Sequence, residues 1–525
     1  MNNQPMSKRK VASLFAIVLM MTMSSAVAQI EDGAFGYYND ALLFSRTYYG
    51  GTARMQGIGG AQVSLGGDIN SAFANPAGLG SIRKSGITVT PSLDFSNTES
   101  SYLGSQTDEF KANFNFANLG IVFSMPNKDE ESKFKGGAFA ITLTRKNNFH
   151  SNFTYDAYNE GEIGKTSIVD SYLDRAWGTD PDDLSGDLYD AYNQYLINPY
   201  LETDAQTGQD FTAYDKFIGD FPRQVEIVQQ RGAQYEWDFS GGVNYNDVFY
   251  VGGGLGISTI RFYRESTYTE SEYIYNGQPD DAIDLYSTRN SLRLNGTGVS
   301  GTLGVVARPL SILRIGAAIS TPTYYGMREE SSEDFLTIYN DFVIQDDSGD
   351  DITLGQFYDE YFSTSRYNLS TPWKFSTGAS IFLGKMGFIS ADVDFLDYSQ
   401  AKISSNDFRT GLDNKTIENF YQNTVNFRLG GEIRLDQFML RAGYGYDGDP
   451  YVSSSIDNSI QRISGGLGYR NNDFFVDLSV VHTQYYTVRS PYTIYSFDDP
   501  ELDISPTARI NNKNLNVSVT FGFNF

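Results

Sequence analysis

The chain has 525 residues, sets 64 Asp and Glu against 39 Lys and Arg for a net charge of −25, and contains no cysteine. That charge excludes the basic footprint of a nucleic-acid-binding protein, and the missing thiols exclude disulfides, thiolate metal sites and a lipidated cysteine anchor. With 37 Tyr, 37 Phe and 51 Gly but little leucine-rich helical periodicity, the composition points to aromatic-rich strands.

The first element in chain order is a leader. Lys8, Arg9 and Lys10 precede an apolar run from Val11 to Met23, and Ala26-Val27-Ala28 offers the small residues of a cleavage site. Residues 1–28 are therefore expected to be a signal peptide, cut before Gln29. The apolar run falls short of the roughly 20 residues that a spanning helix needs. Removing three basic residues takes the net charge to −28. No later stretch is apolar for long enough to cross a bilayer as a helix, so any membrane crossing has to be made by strands.

Residues 29–84 do not alternate. Nine glycines fall between residues 50 and 80, too many for a regular domain. A plug inside a barrel fits, because irregular backbone is tolerated at membrane depth only where protein shields it from lipid. A phosphate-cradling loop does not fit, since no Lys-Ser or Lys-Thr follows the glycines.

From residue 85 to 525 the period is two. Strands are predicted over 85–97, 109–125, 135–149, 233–246, 248–271, 286–308, 311–326, 366–384, 386–399, 421–435, 437–447, 460–470, 473–489 and 512–525, an even fourteen. In the last of them Leu515, Val517, Val519, Phe521, Phe523 and Phe525 oppose Asn516, Ser518, Thr520, Gly522 and Asn524. One face wholly apolar and one small and polar suits lipid outside and a wet lumen inside. Charged residues also fall on inner faces, as at Glu236, Asp392, Arg428, Glu432 and Arg434, where a packed sandwich would have to bury and pair them. Short turns alternate with long loops near 98–108, 150–232, 272–285, 327–365, 400–420, 448–459 and 490–511. That alternation matches periplasmic turns and extracellular loops. Short helices over the barrel mouth are expected within 183–220. The acidic runs Asp180 to Asp183 and Asp346 to Asp351 lack the spaced ligand order of a calcium loop and read as solvated charge. No metal or cofactor is expected.

Ala74-Asn75-Pro76-Ala77-Gly78-Leu79-Gly80, preceded by Gly59-Gly60-Ala61 and Gly66-Gly67-Asp68, resembles the N-terminal hatch of the FadL/TodX outer-membrane transporters of hydrophobic compounds. Thr321-Pro322-Thr323-Tyr324, Thr371-Pro372-Trp373-Lys374-Phe375 and Arg441-Ala442-Gly443-Tyr444 through Tyr446 extend the resemblance over nearly the whole chain after the leader. It implies an all-β, 14-stranded antiparallel transmembrane barrel in the outer membrane of a Gram-negative cell, its lumen plugged by the hatch. The hatch motif is Asn75, Pro76, Ala77 and Gly78. The resemblance further implies passive uptake of long-chain fatty acids or aromatic hydrocarbons through an apolar pocket. Exit would be sideways at a kink in the third strand, here the one opening with Gly136 and Gly137, residues that permit a bend. Arg314, Arg428, Arg434 and Arg441 are the candidates to meet a ligand carboxylate, although inner-face arginines usually pair with inner-face acids. Expected partners are hydrophobic small molecules, outer-membrane lipid and lipopolysaccharide, and the assembly machinery that reads the terminal Phe525.

Four other functions compete with that reading. An acyl hydrolase would want a nucleophile beside a histidine, and the only histidines are His150 and His482, neither placed among acids. An enzyme is therefore not expected. A general porin conflicts with a plug, and an energised 22-stranded receptor needs a longer chain. The alternative that shares the fold is a FadL-like partner barrel of a protein secretion system of type IX.

Overall fold

The computed structural model describes residues 34–47, 50–129, 131–159, 166–203, 207–275, 278–280, 282–345, 349–454, 456–495 and 503–525. The expected leader at 1–28 lies outside them. Fourteen antiparallel strands close into one barrel. They are β1 (Gly86–Tyr102), β2 (Ser105–Pro126), β3 (Phe134–Asn148, resumed at Ser151–Tyr158), β4 (Arg223–Tyr245), β5 (Phe249–Ser271), β6 (Ile283–Leu310), β7 (Leu313–Ser320, resumed at Tyr324–Gln345), β8 (Asp351–Ser370, resumed at Lys374–Phe382), β9 (Gly387–Asp397), β10 (Asn423–Leu435), β11 (Phe438–Asp447), β12 (Ile460–Arg470), β13 (Phe474–Arg489) and β14 (Ala508–Asn524). Closure runs from Gly86 opposite Asn524 to Ser101 opposite Arg509. It continues one residue further, where the Phe525 N–H donates to the Ser85 carbonyl at 2.9 Å.

The alternation has its expected consequence. Leu515, Phe521, Phe523 and Phe525 are exposed on the outer face of β14, while Asn516, Ser518 and Thr520 are buried inside. The same division repeats around the wall: Phe114 and Phe116 on β2, Leu255 and Ile257 on β5, Leu303 and Val305 on β6, and Ile433 on β10 all point outward and are exposed. A continuous apolar belt of this kind is stable only against hydrocarbon. The molecule is thus a transmembrane barrel of the outer-membrane type. Among the described residues, no helix is long and apolar enough to span a bilayer.

Three parts of the wall differ from the sequence reading. The stretch 327–365 is mostly strand, not loop: Tyr324–Gln345 and Asp351–Ser370 pair as a long hairpin that continues the wall beyond the apolar belt. Beyond the belt its faces are polar and charged, so its period of two carries no hydrophobic contrast. Strands β7 and β8, expected to be continuous, are each broken at a Thr-Pro step, since proline supplies no ladder N–H. The two breaks lie side by side, and threonines take over the bonding. The Thr323 N–H donates to Thr371 Oγ1 at 2.9 Å, and the Gly301 N–H to Thr321 Oγ1 at 2.9 Å. The expected 150–232 loop contains a strand segment (Ser151–Tyr158), two helices (Ile168–Ala176 and Asp187–Asn193), a hairpin (Asn198–Thr203 with Asp210–Asp215) and the first ten residues of β4. Val169 and Tyr172 of the first helix and Leu196, just after the second, share a buried cluster at the mouth with Tyr286, Phe335 and Tyr339.

The lumen is filled. Residues 50–82 run through it as two short helices (Ala53–Gly57 and Ser71–Ala74), a 3-10 turn (Pro76–Ser81) and connecting turns, nearly all buried. Room for this chain comes from glycines on the inner wall. A Cβ at Gly304 would overlap the Asn75 side chain, at Gly316 the Val63 carbonyl, at Gly430 the Ile58 carbonyl, and at Gly242 or Gly252 the backbone of Pro76. The Gly430→Leu variant is therefore expected to insert but to expel its hatch, read as new protease sensitivity within 50–82 and raised single-channel conductance. Gly326→Ala, with nothing within 4 Å of the added carbon, should leave both unchanged.

Candidate ligand cavity and the break in the third strand

The hatch backbone has no ladder partners, so its polar groups are met by wall side chains. The Asp392 carboxylate accepts the N–H groups of Gln62 and Val63 at 2.5 and 2.8 Å, and Thr520 Oγ1 accepts that of Ala53 at 2.7 Å. Asn75, 1% exposed, caps the 3-10 turn by accepting the Ala77 N–H at 3.1 Å. The same side chain donates to the Val63 carbonyl at 2.7 Å and the Val305 carbonyl at 3.2 Å. Pro76 takes the first position of that turn, where no N–H is needed. Ala77 and Gly78 are buried, with no space at Gly78 for a side chain beside Ser71 and Gly66.

Ion pairs complete the attachment. Glu432 receives Arg54 of the hatch at 3.1 Å, Arg434 at 2.9 Å and Arg441 at 2.8 Å, and Arg441 also reaches Asp477 at 2.7 Å. Arg428 bridges Asp394 at 2.6 Å and Asp447 at 3.3 Å. Arg314 donates to the Leu65 carbonyl and lies over the Phe382 ring, 4.6 Å from its centroid. Of the four arginines singled out from sequence, Arg314 thus meets the hatch and the other three pair with acids of the wall. None of the four lines the cavity described next.

That cavity, about 470 Å³, lies above the hatch toward the long-loop side. The first helix, α1 (Tyr38–Ser45), hangs into the lumen and supplies one wall. Leu42, Leu43, Phe149 and Phe262 form an apolar side, with Phe44 packed edge-on to Phe149 and Phe262 at 5.7 and 6.2 Å between ring centroids. The opposite side is polar, with Asn115, Asn147, Asn514 and Asn516 and five arginines. Arg145 pairs with Asp94, Arg462 with Asp447 and Arg489 with Glu226. Among the described residues, Arg46 and Arg264 have no carboxylate within 4.0 Å. Arg46 is held by the Asn458 carbonyl at 2.7 Å, and its Nε is buried without a partner. The cavity therefore combines an apolar wall with two guanidinium groups short of counter-charge.

The wall of this cavity is also where β3 fails. Its ladder with β2 ends at Asn118 opposite Thr144. A register shift at Lys146 follows, then a break at Phe149 and His150. The resumed segment Ser151–Tyr158 pairs only with β4, and it leans behind β1, where Thr98 Oγ1 donates to the Asn152 carbonyl at 2.5 Å and Tyr102 and Tyr155 lie 4.4 Å apart. Between residues 105–117 of β2 and 145–158 of β3, side chains replace the ladder: Lys111 Nζ reaches Asn152 Oδ1 at 2.7 Å and the Gln230 carbonyl at 2.9 Å. Gly136 and Gly137 sit at the other end of the strand, paired to Pro126 and Met125 on one side and to Asn244 and Val243 on the other.

Arg46, Arg264 and the Asn147–His150 break were not singled out from sequence. Arg264 was legible by parity, since it shares the inner face with Ile260 and Phe262. His150 touches Asn148 Oδ1 at 3.0 Å, and His482 is exposed on the outer wall opposite Leu515. No grouping of three or more metal-ligating side chains occurs among the described residues. Asp346 and Asp347 lie outside them.

No protein-family model and no curated protein matches the chain. Solved structures do. A FadL homologue of Pseudomonas aeruginosa is similar over 91% of this chain and 99% of its own, with 13% identity and a TM-score of 0.52. A deletion mutant of the monoaromatic hydrocarbon channel TodX covers 90% and 99%, with 11% identity and a TM-score of 0.50. The toluene transporter TodX of P. putida aligns with a TM-score of 0.49, 11% identity and coverages of 91% and 99%. The first two show that the chain has the FadL/TodX fold.

Helix α1 is seated by Asp40, whose carboxylate accepts the Tyr367 hydroxyl at 2.6 Å. Burial pushes Asp40 up to about 6, partly countered by the Tyr367 bond and Arg264 and augmented by Asp413; Glu329 also lies nearby. A carboxyl raised above its unfolded value favours the seated state below about pH 4 and loses that contribution as pH rises through 6. Hydrogen exchange of 38–45, corrected for intrinsic rate, should show protection falling between pH 4 and 7. Asp40→Asn should flatten that dependence.

Proposed function

We propose that this FadL-fold barrel is an outer-membrane channel for passive uptake of hydrophobic molecules with an anionic end, long-chain fatty acids being the class whose chemistry suits the cavity. The observation that carries this reading is the pairing of an apolar wall (Leu42, Leu43, Phe149, Phe262) with Arg46 and Arg264, two guanidiniums with no carboxylate within 4.0 Å among the described residues. A carboxylate would supply the missing charge through short charge-assisted bonds, and an alkyl chain of fatty-acid length fits a volume of about 470 Å³. A purely aromatic hydrocarbon, of the monoaromatic kind named for the TodX channel, would offer neither guanidinium a direct ion-pair partner.

Exit is proposed to be sideways at the β2–β3 interval, where no backbone ladder has to be broken and only side chains such as Lys111 and Asn152 have to part. The arrangement supports movement from loop side to lipid without passage through the hatch. An aqueous route would oppose the solute's own transfer preference.

Lipid extract is added to the purified barrel and retained molecules are identified by mass spectrometry. Long-chain carboxylates are expected, with retention falling about tenfold in Arg46→Gln/Arg264→Gln, or about 1.4 kcal/mol. An empty barrel, together with a protein-secretion defect on deletion of the gene, would replace this reading with that of a secretion partner. Deleting Gly57 to Gly80 should raise single-channel conductance, and unchanged conductance would remove the hatch from its assigned role.

A further inference from the structure

The outer wall carries a second feature, separate from the cavity. Opposed residues in the ladders place Arg261 of β5, Asn295 of β6, Arg328 of β7 and Arg366 of β8 in one transverse row. All four point outward and are exposed. The next row out adds Arg231 and Arg293 on either side of Tyr263. Arg231 lies over the Tyr263 ring at 4.2 Å, and Arg293 and Arg328 share one acid, Glu330, at 3.6 and 2.9 Å. Among the described residues Arg261 and Arg366 have no ion-pair partner; Asp407 beside Arg366 is engaged by its backbone N–H at 2.7 Å. In a chain of net charge −25 this is a local excess of positive charge.

Two physical facts make the row unusual. Arg328 and Arg366 are directly opposed on neighbouring strands, a like-charge arrangement that costs free energy and that Glu330, already shared between Arg328 and Arg293, relieves only in part. The row also stands at a defined height. On β5 the outward residues Val251, Leu255 and Ile257 are apolar and Arg261 follows. The ten steps of tilted strand from Phe249 to Thr259 rise roughly 25 Å, the height of the apolar band of such barrels. The arginines thus meet the headgroup layer of the leaflet on the long-loop side, and they border a trough of about 1040 Å³ whose floor includes Leu143, Tyr235 and Trp237 and whose rim is Ser405, Asn406 and Asp407.

We propose that this trough binds lipopolysaccharide from the outer leaflet, the Arg261–Arg328–Arg366 row taking its phosphate groups while its acyl chains lie against the apolar floor. Guanidinium is the side chain suited to bidentate contact with phosphate. Three strand spacings separate Arg261 from Arg366, roughly 14 Å at ~4.8 Å each, a span that matches a headgroup with more than one phosphate better than a single phosphodiester. The assignment is independent of what passes through the barrel.

The test uses the full chain in detergent, with phosphorylated rough lipopolysaccharide, the same lipid after phosphatase treatment, and phosphatidylglycerol as probes. The wild type is expected to retain the phosphorylated lipid through size exclusion. The variant Arg261→Gln/Arg328→Gln/Arg366→Gln should lose at least tenfold in apparent affinity, and Arg366→Gln alone about threefold. Arg289→Gln, further out on β6 and paired with Glu265 at 3.3 Å, should bind as the wild type does. Without lipid the triple variant should be at least as heat-stable as the wild type, because it removes an opposed like-charge pair; with lipid the order should reverse. Equal binding by wild type and triple variant, equal binding of dephosphorylated lipid, or equal displacement by phosphatidylglycerol would each overturn the proposal.

Discussion

Glu432 holds the plug to the wall. A single buried carboxylate on β10 receives guanidiniums from Arg54 of the hatch and Arg441 of the barrel, both buried, and from Arg434, which is partly open to solvent. Taking such charges out of water is expensive, and removing one member of a buried set leaves the rest uncompensated. The set therefore specifies one position for the hatch. Around it, Asp392, Thr520 and Asn75 take the hatch backbone groups that no ladder serves. The charged inner faces do not look onto a water-filled lumen. They pair with one another and with the plug, which reconciles inner-face Arg and Asp with close packing.

A second constraint is spatial. The hatch runs against wall backbone at Gly304, Gly316, Gly430 and Gly443, where any side chain would displace it. Those glycines lie on the inner parity of strands whose outer parity is large and apolar. One strand thus serves three environments: lipid outside, packed plug inside, and its own ladder at the edges. At the paired breaks Thr321-Pro322-Thr323 and Thr371-Pro372-Trp373, the hydroxyls of Thr321 and Thr371 accept the N–H groups of Gly301 and Thr323, which the interrupted ladders no longer serve.

The same accounting explains the break in β3. Over residues 145–158 the strand keeps its bonds to β4 and gives up those to β2, with Lys111 and Thr98 reaching across instead. A side-chain seam is weaker and more easily parted than a ladder, and it faces both the inner cavity and the outer trough through His150. Above it the mouth is closed by helices and strand extensions that meet at Glu270. That carboxylate accepts the Ile168 N–H, Gln224 and Tyr268 at 2.7 to 2.8 Å.

The sequence by itself determined the number of strands, the face each residue takes and the presence of a plug. These follow from local rules: a side-chain period of two, a lipid-facing apolar parity and a glycine-rich stretch incompatible with regular elements. Polar strand extensions beyond the membrane, such as Tyr324–Gln345, escaped because their period carries no hydrophobic contrast. What only the tertiary structure decided is which charges find partners. Arg314, Arg428, Arg434 and Arg441 are candidates for a ligand along the chain but meet a hatch carbonyl or wall acids, whereas Arg46 and Arg264, among the described residues, have no carboxylate within 4.0 Å beside an apolar wall. Partnership across a barrel depends on closure and on where the plug comes to rest, and both join residues hundreds of positions apart, Arg54 and Glu432 among them.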